Sequence, residues 1–382
     1  MELVFREALK EMEKGDPCVI ATVTNTKGST PQKPGAKLLV RKDGSGAGTL
    51  GGGCVEGDIW FSAKMVLQEG GESQITEYYL NEDIAARDGL VCGGTMYFLM
   101  DPVWQPQEAA QYVREILEAY EGGPGVALAT LLKPPRNSDL KVGAKLLIRE
   151  NGTRMGTLGT ADLDQWIEKA AHPLMAYGRD KYIKTADGAQ VFIEAYTTPP
   201  KLILMGGGHV NKAVAPLAKS VGFRVYVIDD RPEFANSERF PEAEATIAKD
   251  FVEGLGDIPI NTNTFIVIGT RGHREDDRAL YGAAVTKAGY VGLLGSKRKV
   301  ILIYEELLKR NIPVERLREI HAPIGLDIHA RTPEEIAVSI VAELVKFRLG
   351  GEGRSMKLEE RRLAKILEKV RKVQNTSVAL VS

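Results

Sequence analysis

The residues best suited to chemistry in this 382-residue chain lie in a glycine-rich stretch, Gly48 to Asp58, that contains the thiol of Cys54. Three consecutive glycines come directly before that thiol: Gly51, Gly52 and Gly53. Without Cβ atoms there, a bulky ligand can approach both backbone and sulfur. A helix is predicted to open near Asp58, and its N-terminal amides would favour an anion or thiolate, whereas Glu56 and Asp58 would oppose one. A structural turn around a small buried cysteine is the alternative interpretation.

A second thiol, Cys92, also stands beside paired glycines and precedes an apolar strand pattern, Met96 to Met100. Two thiols in glycine-rich turns of one domain can converge on one ligand, so Cys54 and Cys92 are the candidate catalytic residues. Packing of Cys92 at a strand edge is the alternative. Cys18 opens an apolar strand pattern and is predicted to lie in the core. Three cysteines without CxxC spacing argue against a disulfide framework and a structural zinc site, so no metal site is predicted.

An internal repeat favours the first copy of the glycine-rich stretch as the one that carries the chemistry. Gly143 to Arg149 repeats Gly35 to Arg41 at an offset of 108 residues, and the offset continues without a gap. At that offset Asp162 takes the position of Cys54. The pattern predicts a duplicated unit of strands, loop and helix, with copies at about residues 17–70 and 125–180. Because the second copy lacks the thiol and the glycines, we expect it to act as scaffold.

A different pattern begins after residues 197–200, where two prolines predict an extended linker. A buried strand, Lys201 to Met205, leads into Gly206-Gly207-Gly208-His209, a helix, and a second strand ending at Asp229-Asp230. This order is typical of a dinucleotide-binding βαβ unit, although Asn211 stands at the third glycine position. Asp229 occupies the position from which a carboxylate usually accepts a hydrogen bond from a ribose hydroxyl.

Further strands are predicted at residues 245–248, 264–268 and 290–294, each followed by a polar loop and a helical pattern. Ligands bind at the carboxyl ends of such parallel strands, and cationic groups beside helix starts favour an anion. A capping or solvated-loop role is the alternative for each residue alone. The candidate binding residues on this edge are Gly206, Gly208, His209, Asp229, Asp230, Arg271, His273, Ser296, Lys297 and Arg298; those of the first domain are Gly51, Gly52, Gly53 and Glu56.

These patterns predict an α/β protein: an N-terminal α+β domain with the duplication (1–197), a Rossmann-like doubly wound parallel sheet (198–350), and a linker with a C-terminal helix (351–382). A length of 382 residues agrees with two or three domains. A formal net charge of -1 does not suggest an extended nucleic-acid interface. No signal peptide or membrane span is evident, so the cytoplasm is the expected location. An amphipathic helix is predicted from about Met356 to Val373 as a protein contact.

A series of motifs runs along the chain in this order: Gly28-Ser29-Thr30-Pro31, Gly35-Ala36-Lys37, Gly51-Gly52-Gly53-Cys54-Val55-Glu56, Cys92-Gly93-Gly94, Gly206-Gly207-Gly208-His209, Asp229-Asp230-Arg231-Pro232, Gly292-Leu293-Leu294-Gly295-Ser296-Lys297-Arg298, Ala322-Pro323-Ile324-Gly325-Leu326 and Pro333-Glu334-Glu335-Ile336-Ala337. By these motifs the chain resembles the XdhC/CoxI family across roughly residues 10 to 349. The resemblance implies an accessory protein of a molybdenum hydroxylase of the xanthine dehydrogenase or carbon monoxide dehydrogenase type. Such a protein binds molybdenum cofactor, supports its sulfuration and inserts it into the client enzyme, as a chaperone more than as a turnover enzyme.

By that resemblance Cys54 handles the cofactor or its sulfur, and the cofactor is molybdopterin or its dinucleotide form. The implied partners are the client hydroxylase, a cysteine desulfurase and a second copy of the chain in a homodimer. This sequence departs from the family pattern in its thiol-free second copy, in Asn211, and in Gly350-Gly351-Glu352-Gly353, which leads to an added helix.

Two other functions use the same residues. An NAD-dependent oxidoreductase would use the Rossmann-like edge with His273 as the acid/base group, although NAD is the weaker cofactor candidate. A cysteine-based redox or metal-binding regulator would use Cys54, Cys92 and His209. Neither alternative explains the duplicated N-terminal unit.

Overall fold

A computed structural model describes residues 1–80 and 94–368, which form three five-stranded sheets with helices packed on them. The first sheet belongs to an N-terminal unit and is antiparallel, in the order β3-β2-β1-β5-β4. The elements of this first unit are α1 (Glu2–Lys14), β1 (Cys18–Lys27), β2 (Lys37–Arg41), β3 (Gly46–Gly48), α2 (Gly53–Glu69), β4 (Gln74–Tyr79) and β5 (Thr95–Val103).

A second unit repeats this arrangement, with the strand order β8-β7-β6-β10-β9. Its elements are α3 (Pro106–Glu121), β6 (Val126–Lys133), β7 (Lys145–Arg149), β8 (Arg154–Gly156), α4 (Ala161–Met175), β9 (Asp180–Lys184) and β10 (Gln190–Tyr196). The internal duplication predicted from the sequence is therefore confirmed. It also includes α1 and α3, which precede the repeat recognised in the sequence.

Alternation along the strands gives each sheet two buried faces. Val19, Ala21 and Val23 pack with α2, whereas Cys18 and Ile20 point to the opposite face and the second unit. Cys18 is fully buried, as predicted, and burial raises the pKa of its thiol to about 12.

Helices α1 and α3 pack against each other and form a core shared by the two units. Phe5 of α1 meets Tyr196 of β10 edge to face, with ring centroids 5.4 Å apart. The two units therefore share one hydrophobic core, to which α1, α3 and strands of both sheets contribute.

The C-terminal domain contains the third sheet, which is parallel in the order β13-β12-β11-β14-β15. Its elements are β11 (Lys201–Met205), α5 (His209–Ser220), β12 (Arg224–Asp229), β13 (Ala245–Ala248), α6 (Phe251–Gly256), β14 (Thr264–Ile268), α7 (His273–Ala284), β15 (Tyr290–Leu293), α8 (Lys297–Lys309), α9 (Val314–Glu319) and α10 (Pro333–Leu349). The strand order reverses direction beside β11, which is the switch point where such sheets bind ligands.

Helices cover both faces of this sheet: α6, α7 and α8 pack on one face, and α5 and α10 on the other. The predicted Rossmann-like doubly wound fold is confirmed. Helix α10 starts at Thr332 with the capping box expected from the sequence, in which Thr332 and Glu335 each bind the other's backbone N–H.

One arginine joins the second unit to the C-terminal domain. The guanidinium of Arg179 donates to the carbonyl of Arg348 at 2.6 Å and also to that of Phe347, both in the last turn of α10. A cation near the last carbonyls of a helix is favourable for the helix dipole. The contact therefore fixes α10 on the second unit.

Beyond α10, residues 351–368 are exposed and residues 360–368 are helical. The predicted amphipathic helix, about Met356 to Val373, is thus observed over part of its length, and its remainder lies outside the described residues. Leu363, Ile366 and Leu367 are 40–51% exposed on this helix. Within the ranges the structure describes, no helix is both long and apolar enough to cross a membrane.

Candidate functional site

Cys54 lies in the first turn of α2 and is exposed. The helix begins at Gly53 and not near Asp58, which corrects the prediction that the thiol precedes the helix. The reason is the backbone of the three glycines: Gly51, Gly52 and Gly53 have φ angles of 113°, 73° and 64°, a region open to glycine at little cost. They turn the chain directly into α2, so Cys54 stands at its N-terminus.

The carboxylate of Glu56 holds this loop together. Its Oε2 atom accepts hydrogen bonds from Thr49 Oγ1 at 2.6 Å and from the backbone N–H of Leu50 at 2.7 Å and Gly52 at 3.2 Å. Burial alone would raise the pKa of Glu56, but these hydrogen bonds outweigh it and the pKa is lowered. Glu56, predicted as a binding residue, thus has a clear positioning role, and its contact with a cofactor stays a prediction.

The loop packs on the segment that joins β1 to β2. A Cβ atom at Gly51 would come within 2.8 Å of Pro31, and one at Gly94 would overlap the carbonyl of Ser29. At Gly52, in contrast, a Cβ atom would meet nothing within 4 Å. The Cys54 loop and Gly94 therefore lie against the same short segment, and the space around Gly52, two residues before Cys54, is open. Cys92 lies outside the described residues.

The corresponding loop of the second unit has Thr160, Ala161 and Asp162 at the positions of Gly52, Gly53 and Cys54. Thr160 is the N-cap of α4 with extended φ and ψ of -138° and 144°, and its side chain accepts from the N–H of Leu163. Asp164 accepts from Thr157 Oγ1 at 2.7 Å and from Leu158 N–H at 2.8 Å, as Glu56 does in the first unit. The second loop is thus an ordinary capped helix start, whereas α2 has no side-chain cap.

The residues predicted on the Rossmann-like edge do lie together. Gly206 to His209, Asp229 to Asp230, Gly269 to His273 and Gly295 to Arg298 all follow the carboxyl ends of parallel strands. A Cβ atom at Gly206 would overlap the carbonyl of Gly269, so the first and third of these loops are in contact. His209, His273, Lys297 and Arg298 are exposed, and Ser296 caps α8 by accepting from Lys299 N–H at 3.3 Å.

Asp229 has a different set of partners from those predicted. The residue is fully buried, and its carboxylate accepts from Gly207 N–H at 2.8 Å and from the backbone and side chain of Arg231. The carbonyl of Phe234 lies directly over Gly207, and Arg239 donates to the carbonyl of Gly207 at 2.8 Å. A ribose or pyrophosphate at Gly207 would therefore have to displace contacts that the protein already makes.

Asp230 and Arg271, both predicted to bind a cofactor, contact each other. The guanidinium binds both carboxylate oxygens, the second through Arg271 Nη2 at 2.7 Å, and this contact lowers the pKa of Asp230. The pair is partly exposed, with 42% of the Arg271 side chain and 32% of the Asp230 side chain accessible. Arg271 thus remains at the surface of the edge, where an anion can compete for it.

Several buried polar residues of this domain escaped the sequence analysis. Asn211, regarded as a departure from the glycine pattern, is buried and donates to the carbonyl of Gly206 at 2.7 Å, which ties α5 to β11. Asp276 accepts from Thr270 Oγ1 at 2.7 Å and contacts the ammonium of Lys299. The spacing from Thr270 to Asp276 resembles that from Thr49 to Glu56, a signal that could have identified it.

Comparison with known proteins identifies the family. The sequence model of the XdhC and CoxI family matches residues 12–79, and that of the XdhC Rossmann domain matches residues 202–344. Together these ranges span more than half of the chain. The chain belongs to the XdhC/CoxI family. The first range contains the Cys54 loop and the second contains the Rossmann-like edge.

Two relatives match over most of their length and a third over part of it. A protein of Bacillus subtilis described as a probable subunit of xanthine dehydrogenase is 29% identical over 88% of this chain and 95% of its own length. The molybdenum cofactor insertion chaperone PaoD of Escherichia coli is 23% identical over 91% of this chain and 88% of its own. YqeB of Escherichia coli, an uncharacterized protein, is 31% identical over 57% of this chain, and the match covers 43% of the length of YqeB.

A solved structure described as a xanthine dehydrogenase from Bacillus halodurans has the same fold. It superimposes with a TM-score of 0.63 at 26% identity, over 92% of this chain and 98% of that one. The fold of this family member is therefore that of a known structure along nearly its whole length.

Proposed function

We propose that this protein is an accessory chaperone of a molybdenum hydroxylase, which binds molybdenum cofactor, supports its sulfuration and inserts it into the client enzyme. The single observation that carries the proposal is the Cys54 loop, where an exposed thiol stands at an uncapped helix start beside glycines. The kinship with the chaperone PaoD supports the same function. The client is a hydroxylase of the xanthine dehydrogenase or carbon monoxide dehydrogenase type.

The first unit fits such a cargo in three respects. A thiolate is a soft ligand for molybdenum and a carrier of persulfide sulfur. The open space at Gly52 admits a bulky group to the thiol, and the amides of an uncapped helix start suit the terminal phosphate of a pterin. We include Cys92 in this site because Gly94, two residues later, packs on the same segment as the Cys54 loop.

Residues of the Rossmann-like edge would contribute an anion contact through Arg271, Lys297 and Arg298, with His209, His273 and Ser296 beside them. Hydride transfer from NAD is the weaker candidate here, because Gly207 N–H and Asp229 are already bound to each other. Mononucleotide and dinucleotide cofactors both carry phosphate, so both suit these cations. A cysteine desulfurase would supply the sulfur, and a cytoplasmic homodimer is the proposed working form.

Expression in a host that makes molybdenum cofactor tests the proposal. We expect the purified protein to contain molybdenum and pterin, and to activate a client hydroxylase that lacks cofactor. Cys54→Ala should reduce retained pterin and client activation at least tenfold, with an unchanged unfolding midpoint because the side chain is exposed. Protein without molybdenum or pterin, or a Cys54→Ala variant that retains and delivers both normally, would contradict the proposal.

A further inference from the structure

A cavity of about 530 Å³ lies between the two N-terminal units, within the size range of small-molecule sites. Its walls are mostly apolar and come from both sheets and from α1 and α3: Phe5, Ile20, Leu99, Val113, Ile116 and Leu128. Ile20 and Thr22 of β1 line it, whereas Val19 and Ala21 face α2. The cavity therefore lies on the opposite side of the first sheet from Cys54 and is a separate site.

Two reciprocal ion pairs cross this cavity. Lys37 of the first unit binds Glu194 of the second at 2.6 Å, and Lys145 of the second binds Asp101 of the first at 2.7 Å. The two lysines are equivalent in the repeat. The two acids are equivalent as well, because Asp101 lies opposite Ile20 and Glu194 lies opposite Leu128, its counterpart in the second unit.

The two ends of the cavity differ in exposure. Side chains of Lys37 and Glu194 are 3% and 6% exposed, and the Phe5 ring covers Lys37 with its centroid 5.6 Å from Nζ. Side chains of Lys145 and Asp101 are 27% and 11% exposed. At the repeat offset Val113 takes the position of Phe5, and its smaller side chain leaves the second pair uncovered.

The open pair presents a hydrogen-bond donor and an acceptor side by side to an apolar cavity. The ammonium of Lys145 and the carboxylate of Asp101 are 2.7 Å apart, and Thr130 adds a hydroxyl to the lining. Lys145 also donates to the carbonyl of Gly143 at 3.0 Å, and Asp101 accepts from Ser73 Oγ at 2.7 Å. One N–H of the ammonium and the remaining carboxylate lone pairs are therefore left for a ligand. An anionic ligand would be repelled by Asp101 and a cationic one by Lys145, so a neutral ligand with an adjacent acceptor and donor fits best. A lactam edge, with a carbonyl next to a ring N–H, has this arrangement.

We infer that this cavity binds a flat neutral heterocycle through a lactam edge, with the ligand carbonyl accepting from Lys145 and the ring N–H donating to Asp101. Apolar walls on both sides suit a planar ring. Pterins and oxopurines share this edge, and the experiment separates them. The inference uses no residue of the Cys54 loop, and calorimetry with free heterocycles tests it without molybdenum or a client enzyme, so its failure is distinguishable from a failure of the proposed function.

Calorimetry with the full chain tests the inference through matched ligand pairs. Hypoxanthine is compared with unsubstituted purine, and pterin with 2,4-diaminopteridine, each control lacking the lactam. We expect at least one lactam to bind tenfold or more tighter than its control, and the preferred ring identifies the source. Equal affinity within both pairs, or no binding of either lactam, would overturn the inference.

Two variants locate the binding. Val113→Phe places a phenyl ring over Lys145, as Phe5 covers Lys37 at the other end. Lys145→Met removes the hydrogen-bond donor. Each variant should weaken lactam binding at least tenfold. Lys133→Met, an exposed lysine on β6 outside the cavity, is the control and should bind normally. If Val113→Phe fails to fold, Lys145→Met still decides. Normal lactam binding by folded Lys145→Met would overturn the assignment to this cavity.

Discussion

The two N-terminal units share one framework but differ where the first carries its thiol. Both have the same strand order, and both hold their loops with an acid, Glu56 or Asp164, that accepts from a threonine and from backbone N–H groups. In the second unit Thr160 caps the helix, and Leu140 packs directly on Gly159. In the first unit the cap is a glycine and Gln32 replaces that leucine. The duplicated framework thus serves in one copy as support and in the other as a chemically open loop.

A second difference between the units lies in their shared interface. Asp180 is paired in register with Glu194 near Lys37, whereas Ser73 donates to Asp101 at 2.7 Å at the other end. The positions are equivalent, because a Cβ atom at Gly35 would overlap Asp180 and one at Gly143 would overlap Ser73. The Lys37 end therefore has two carboxyl groups, those of Glu194 and Asp180, for one ammonium group. Burial and the nearby Glu194 raise the pKa of Asp180 to about 8.

The largest expected effect is a difference in the unfolding free energy lost when each of the two ion pairs is broken. Lys37→Met leaves Glu194 buried without its partner and should cost about 3–5 kcal/mol of unfolding free energy. Lys145→Met, at the more exposed pair, should cost about 1 kcal/mol, because water and Ser73 still solvate Asp101. Urea unfolding measures both. Equal costs would show that the two ends of the interface are equally buried in solution.

A smaller and matched effect is expected for the two loop acids. Glu56→Ala and Asp164→Ala each remove an acceptor from backbone N–H groups, and each should cost about 1–3 kcal/mol. Only Glu56→Ala should also impair client activation, since only its loop carries the thiol. Thermal unfolding and the activation assay separate the two effects. An activation defect of the same size in Asp164→Ala would contradict the division between the units.

The pH dependence of stability should reveal the raised pKa of Asp180. An unfolded aspartate titrates near about 3.9, so between about pH 4 and about pH 8 the folded protein binds the extra proton. Its contribution to stability therefore falls as the pH rises through that window and stays level above it. Asp180→Asn removes this term, so its unfolding midpoint relative to the wild type should increase from about pH 5 to about pH 8. A constant difference would exclude a raised pKa.

Regular features of the fold could be predicted from the sequence, because local patterns determine them. Thr332 starts α10 with the expected capping box, and the glycines after Met205 open α5 as anticipated. The prediction that α2 starts near Asp58 was wrong, because three positive φ angles shorten the loop before it. The run of glycines permits these angles but does not require them. The two ion pairs between the units could not be predicted, since they join segments distant in the chain, and neither could the bond from Gly207 N–H to Asp229, since it depends on how two strands align.

Exchanging the loop of the first unit for that of the second tests the central claim most directly. The triple variant Gly52→Thr, Gly53→Ala and Cys54→Asp has the residues of a loop that already folds on the same framework. We expect it to fold with position 52 changed from a φ of 73° to the extended backbone of Thr160, because the new threonine then supplies a helix cap. Its molybdenum and pterin content, after expression in a host that makes the cofactor, should fall at least tenfold. A folded triple variant that retains wild-type molybdenum and pterin would contradict the assignment of the chemistry to this loop.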